Sequence, residues 1–154
     1  MIPQPTPTAE PHKLLNERLT LKSFVLFFLV AAGIAIDQCV KYLVFSKDKL
    51  PMGLIHFRNY QFAFSIAMPV WLIYVLYIFV LVAAFYYLVK RFGAAGKIEL
   101  LGWALLLAGG LSNVGERIFL GYVRDYLVIF NGIFNLADLF IIAGILILLC
   151  FYGQ

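Results

Sequence analysis

The sequence predicts an all-α membrane fold, a bundle of four transmembrane helices, and three observations predict it. Hydrophobic residues make up 64% of the 154 and charged residues 13%, at a mean hydropathy of +0.95, which falls outside the soluble globular range. The apolar residues gather into four runs, each close to the length that crosses a hydrocarbon core of about 30 Å as a helix. The twelve Lys and Arg flank those runs without forming a basic face, so the net charge of +4 points to membrane flanks and excludes a nucleic-acid module.

Residues 1–11 carry four of the six prolines together with Thr, Gln and Glu, a composition too polar to pack. The chain therefore divides into a disordered cytoplasmic tail over 1–21 and one membrane domain over 22–154. The first apolar run, 23–36, has the length of a signal-peptide core, and Gly33-Ile34-Ala35 resembles a small-residue cleavage site. The run continues through Asp37 and Lys41 to Phe45, however, giving 23 residues and a spanning helix. A second span covers 69–89 without a charge and ends at Lys90-Arg91, with Pro69 suited to a helix start. A third covers 98–114, with Glu99 near one end and Gly109-Gly110 permitting close helix approach near the other. The fourth covers 136–152.

Four spans put both termini on one side, and the turn 90–97, with three positive charges and no acid, marks that side as cytoplasmic. Counted over the whole chain, that turn included, Lys and Arg are split six and six between the two sides. Depth is more informative than count. Lys22 to Asp37 is 15 residues, Lys97 to Asn113 is 16 and Asp138 to Gln154 is 16, each about 22–24 Å of helix. Three helices thus place a polar residue at one level, under the outer leaflet, and the loops on that side add Asn59, Glu116, Arg117 and Asp125.

Acids at membrane depth are costly and tend to persist where they do chemistry or transport. Asp37 and Lys41 are spaced i,i+4, either neutralising each other or orienting a substrate. Asn113 and Arg117 share that spacing, and Arg117 has a structural role as a partner for Glu116 or for head groups. Asp138 is either a helix cap or an acid, and Asp125 a loop residue. The two lie 13 residues apart across an almost wholly apolar stretch that can bring them face to face. Two close carboxylates share one proton, so one can deprotonate water while the other protonates a scissile carbonyl. No Ser-His-Asp set accompanies them, the histidines being His12 and His56, and no helix carries metal-ligand spacing. Cys39 and Cys150 lie at opposite depths and read as packing residues.

Five stretches in order then carry a family resemblance: Asp37-Gln38-Cys39-Val40-Lys41, Asn59-Tyr60-Gln61-Phe62-Ala63-Phe64-Ser65, Gly109-Gly110-Leu111-Ser112-Asn113-Val114-Gly115-Glu116-Arg117, Gly121-Tyr122-Val123-Arg124-Asp125-Tyr126 and Phe134-Asn135-Leu136-Ala137-Asp138. The chain resembles the lipoprotein signal peptidases, or signal peptidase II, membrane aspartic proteases of bacteria, from about Ser23 onward. The resemblance implies that Asp125 and Asp138 are catalytic, activating water to cut just before the diacylglyceryl-modified cysteine of a prolipoprotein. It implies that Asn113, Arg117 and Asn135 line and brace the site, that Asp37 and Lys41 shape the first helix beside it, and that Asn59 and Glu116 belong to the same bracing set. It further implies a small extracytoplasmic β-sheet cradle, built largely from the loop after the first span with 54–66 contributing. No metal and no cofactor is implied. The expected partners are the lipid-modified prolipoprotein and membrane lipids, for a monomer in the bacterial cytoplasmic (inner) membrane.

Three features depart from the family pattern or crowd the site. Gln61 stands where Gly is usual, Glu116 where Asp is usual, and Arg124 puts a cation beside Asp125 that is expected to lower its pKa. Gln61 and Glu116 keep open a catalytically altered relative that binds lipidated signal peptides. A small proton-coupled transporter is the rival of another class, although the spans show no repeat and the acids sit to one side rather than at the midplane.

Overall fold

The computed structural model describes residues 11–60 and 69–151. In chain order they form α1 (Pro11–Phe45), β1 (Leu54–Asn59), α2 (Val70–Arg91), α3 (Lys97–Leu120), β2 (Val123–Ile129), β3 (Gly132–Phe134) and α4 (Leu136–Phe151). Among the described residues, Asn16–Phe45 and Lys97–Leu120 are long and apolar enough to cross a membrane, and Leu136–Phe151 is a shorter apolar helix.

The first helix is 35 residues long and begins at Pro11, so 11–21 are helical where a disordered tail was expected. Leu, Lys, Glu and Arg in that stretch are good helix formers, and proline is tolerated at a helix start. Residues 1–10 lie outside the described residues. The third helix runs six residues past the expected end at 114, to Leu120. It stops at Gly121, whose φ of +81° suits glycine and whose N–H caps the Arg117 carbonyl.

The central element is α3, packed on α4 along one side and on α1 along another, with α2 meeting the bundle through α3. Two glycines make the α3–α4 approach possible. A Cβ on Gly109 would run into the carbonyl oxygen of Ala137, and one on Gly144 would sit 2.7 Å from Gly102 O. At the opposite end of the bundle Lys22 Nζ donates to Gly93 O at 2.9 Å and Ala95 O at 3.0 Å, tying α1 to the α2–α3 turn.

The sheet is antiparallel in the order β1-β2-β3, with Phe57 opposite Asp125 and Asn59 opposite Val123. Among the described residues it is not built largely from the loop after α1. That loop supplies β1, while the β2–β3 hairpin between α3 and α4 supplies the other two strands, as the Val, Ile, Tyr and Phe of 123–134 favour. Residues 61–68, including Gln61, lie outside the described residues.

Candidate active site

The first turn of α4 is where the polar side chains converge. Asn135 precedes the helix and Asp138 is its third residue, and the two cap each other. Asp138 N–H donates to Asn135 Oδ1 at 3.0 Å, and Asn135 N–H donates to Asp138 Oδ2 at 3.0 Å, a reciprocal capping box. The remaining free N–H groups of that turn also find partners. Ala137 N–H donates to Asp37 Oδ1 at 2.9 Å and Leu136 N–H to the Tyr126 hydroxyl at 3.2 Å. An apolar helix beginning in low dielectric needs each of these bonds, because an unpaired N–H there costs several kcal/mol.

Asp125 arrives from β2. Its carboxylate accepts from Asn59 Nδ2 at 2.8 Å and from Asn135 Nδ2 at 2.5 Å. Asn135 therefore touches both aspartates, capping with one and donating to the other. Burial pushes the Asp125 carboxyl up to about 6; the charge of Asp138 pushes the same way, while the Asn59 and Asn135 amides and Lys41 pull against it. Arg124 does not act as its position in the sequence suggests. Successive residues of a strand face opposite sides, so Arg124 turns away from Asp125 and pairs with Glu116 at 2.6 Å. The expected lowering by Arg124 is therefore absent, and burial sets the direction of the Asp125 shift instead.

The other members of the polar layer join through Lys41, fully buried on α1. Its ammonium lies 2.8 Å from Asp37 and 3.0 Å from Glu116 and donates to Asn113 Oδ1 at 2.9 Å. Asn113 passes the contact on, its Nδ2 donating to Asp138 Oδ1 at 2.8 Å. The i,i+4 pair of α1 is thus more than a self-neutralising surface pair. Glu116 and Arg117 belong to the last turns of α3 rather than to a loop, and Asn59 and Asp125 end up on strands. The cations paired with Glu116 are Lys41 and Arg124, whereas Arg117, one residue on and therefore about 100° around the helix, is buried and lines the cavity described next.

That cavity, about 290 Å³, lies between α2, α3 and α4. Asp125, Asp138, Asn59, Asn113 and Arg117 line its polar end, and Leu, Val and Ile side chains such as Val80, Leu107 and Ile141 line the rest. The arrangement offers one buried carboxyl, Asp125, and one half-buried carboxyl, Asp138, to a ligand that is largely apolar and polar at one point.

A family profile described as Signal peptidase (SPase) II matches residues 29–152. The chain belongs to the signal peptidase II family. Among its relatives, the lipoprotein signal peptidase of Sinorhizobium fredii is 33% identical over 151 residues, covering 88% of this chain and 87% of that protein. The lipoprotein signal peptidase of Mesorhizobium japonicum is 38% identical over 130 residues, covering 75% and 77%, and that of Streptococcus agalactiae is 32% identical, covering 84% and 92%. A bacterial membrane enzyme solved by the in meso method at 1.9 Å superposes with a TM-score of 0.70 at 20% identity, covering 84% of this chain and 94% of its own. Another, at 2.3 Å, gives 0.69 at 23% identity, covering 82% and 85%. These two share the fold.

In this signal peptidase II family member, all nine residues expected at the site are buried or line the cavity. Three others emerge from the structure: Gln38, Ser112 and Tyr126. Ser112 Oγ donates to Asp37 Oδ2 at 2.6 Å and Gln38 Nε2 donates to Ser112 Oγ at 2.9 Å. For Ser112 the signal in the sequence is its i,i+4 spacing with Glu116, which gives α3 a second polar stripe beside Asn113 and Arg117; Gln38 and Tyr126 lie on α1 and β2, where no such spacing marks them. Cys39 and Cys150 are free and exposed rather than packed; two positions on from Asp37, Cys39 falls on the opposite face of α1.

Proposed function

We propose that this protein is an aspartic endopeptidase of the membrane that removes the signal peptide from diacylglyceryl-modified prolipoproteins, cutting before the lipidated cysteine, with Asp125 and Asp138 as the catalytic pair. The observation that carries the reading is that one residue, Asn135, binds both carboxylates at the polar end of a cavity whose walls are apolar. A signal peptide and acyl chains match those walls, and the scissile amide is the polar point that meets the acids.

In the reaction, a water between the pair loses its proton to the ionised carboxylate as its oxygen attacks the scissile carbonyl carbon. The protonated partner donates to the carbonyl oxygen, giving a gem-diol. Collapse re-forms the carbonyl, breaks the C–N bond and sends a proton to the leaving nitrogen, returning the pair to its starting state. Asn59, Asn113 and Asn135 hold the acids in place and leave the proton shared between them.

The same reading has α1 to α4 all crossing the bilayer in a monomer, both termini cytoplasmic and the pair under the outer leaflet. Its support is that α2 is apolar up to Lys90 and Arg91, and that the α2–α3 turn and Lys22 sit together at the end away from the acids. The test is cleavage of a diacylglyceryl-modified prolipoprotein by purified protein in detergent, beside folded Asp125→Asn and Asp138→Asn. Cleavage before the lipidated cysteine that disappears in both variants is expected. A folded wild-type protein that binds the substrate without cutting it would overturn the protease reading.

A further inference from the structure

Six side chains from three elements close into a ring beneath the candidate pair. Asp37 Oδ2 accepts from Ser112, Ser112 Oγ accepts from Gln38, and Gln38 Oε1 accepts from Arg124 Nη2 at 2.7 Å. Arg124 Nε then donates to Glu116 Oε1 at 2.6 Å, Glu116 Oε2 meets Lys41, and Lys41 returns to Asp37. The ring ties α1, α3 and β2 together, and it has three outlets toward the acids. Asp37 caps the turn that carries Asp138, Lys41 orients the Asn113 amide that binds Asp138, and Glu116 Oε2 accepts from Arg124 N–H at 2.9 Å, fastening the backbone next to Asp125.

We infer that Gln38 and Arg124 are positioning residues for the reaction: by closing this ring they set β2 against the start of α4 and so set the separation of Asp125 from Asp138. The inference rests on the aspartic reading above. Neither residue lines the cavity, and each reaches the acids through others. The ring also accounts for Glu116. Its extra methylene relative to Asp lets one carboxylate reach Lys41 with Oε2 and the Arg124 side chain with Oε1. Arg and not Lys fits the site, because a planar fork can serve Glu116 and Gln38 at once while a single ammonium serves one direction. Glu116 and Arg124 thus form a matched pair. Imprecision of about 1 Å in such a pair of acids costs on the order of a hundredfold in rate, which sets the scale available to a positioning residue.

The test uses the full chain in detergent with the lipidated prolipoprotein as substrate, comparing Arg124→Gln, Gln38→Leu, the double variant and Arg124→Lys, each checked by thermal unfolding. The single variants are expected to lower kcat by about tenfold or more with KM within about twofold, since an interaction that shapes the pair is felt in the transition state and not in binding. The double variant should fall no further than Arg124→Gln by more than about twofold, because residues acting through one ring are not additive. Arg124→Lys should recover part of the loss. Wild-type kcat in the single variants, a loss appearing in KM, or a double variant equal to the product of the singles would each overturn the inference. Should Arg124→Gln fail to fold, Gln38→Leu, which removes no charge, carries the comparison of kcat with KM. Failure of the aspartic reading would show separately, as cleavage that survives in Asp125→Asn.

Discussion

Lys41 and Asp138 hold opposite ends of one amide. Lys41 donates to Asn113 Oδ1 at 2.9 Å, and Asn113 Nδ2 donates to Asp138 Oδ1 at 2.8 Å. With a cation on one side and a carboxylate on the other, the amide has only one satisfactory orientation. A lysine on α1 thereby fixes a hydrogen bond to a candidate catalytic acid on α4.

Lys41→Met should be among the most damaging single changes. It leaves Asp37 and Glu116 facing each other in a buried site without the ammonium between them, and removing one partner of a buried ion pair typically costs about 3–5 kcal/mol. Thermal unfolding in detergent measures the loss. A variant within about 1 kcal/mol of wild type would mean that water reaches the site and screens the acids.

Asn135→Ala removes two functions together, the cap of α4 and the donor to Asp125. Loss of an N-cap costs about 1 kcal/mol, so the protein should stay folded. Cleavage should nevertheless fall by about a hundredfold or more, because both acids lose a partner and small displacements at a reacting pair are amplified in rate. Kinetics and unfolding measured on the same preparation separate these effects.

The pH dependence of stability follows from Asp125. Its carboxyl sits at about 6 in the fold, against about 3.9 for an unfolded chain. Between those values the native state binds more protons than the unfolded state, so stability falls as pH rises. The contribution is complete below about pH 4 and is lost as pH rises through about 6, on the order of 3 kcal/mol. The difference in unfolding free energy between wild type and Asp125→Asn should change by that amount across the window, whatever constant offset the amide adds. A flat difference would show that Asp125 is not held up by burial.

Gly109→Ala should separate α3 from α4. The added Cβ collides with the Ala137 carbonyl oxygen, a backbone atom that cannot swing aside, and overpacking of this kind costs about 1–3 kcal/mol. Ala137 adjoins Asp138, so cleavage should fall along with stability. Gly115→Ala, where a Cβ meets nothing within 4 Å, serves as the control and should keep both.

Much of this protein was legible in its sequence because the bilayer imposes simple rules. Long apolar runs marked α2, α3 and α4, and the ordered motifs from Asp37 to Asp138 named the family that the profile match bears out. The equal depths of Asp37, Asn113 and Asp138 anticipated one polar layer, and the structure joins these three through Lys41 and hydrogen bonds. What the sequence left undecided were relations between residues far apart in the chain. Asp37 caps Ala137 across 100 residues and Gln38 meets Arg124 across 86, separations to which no periodicity applies. The direction of Arg124 depends on 123–129 being a strand paired with β1, since only a period of two turns adjacent residues to opposite faces. A helix there would have left it beside Asp125. Local patterning determined which residues are polar and at what depth; tertiary packing decided which of them touch, because hydrogen bonds and burial depend on distances that the chain sets only when it closes on itself.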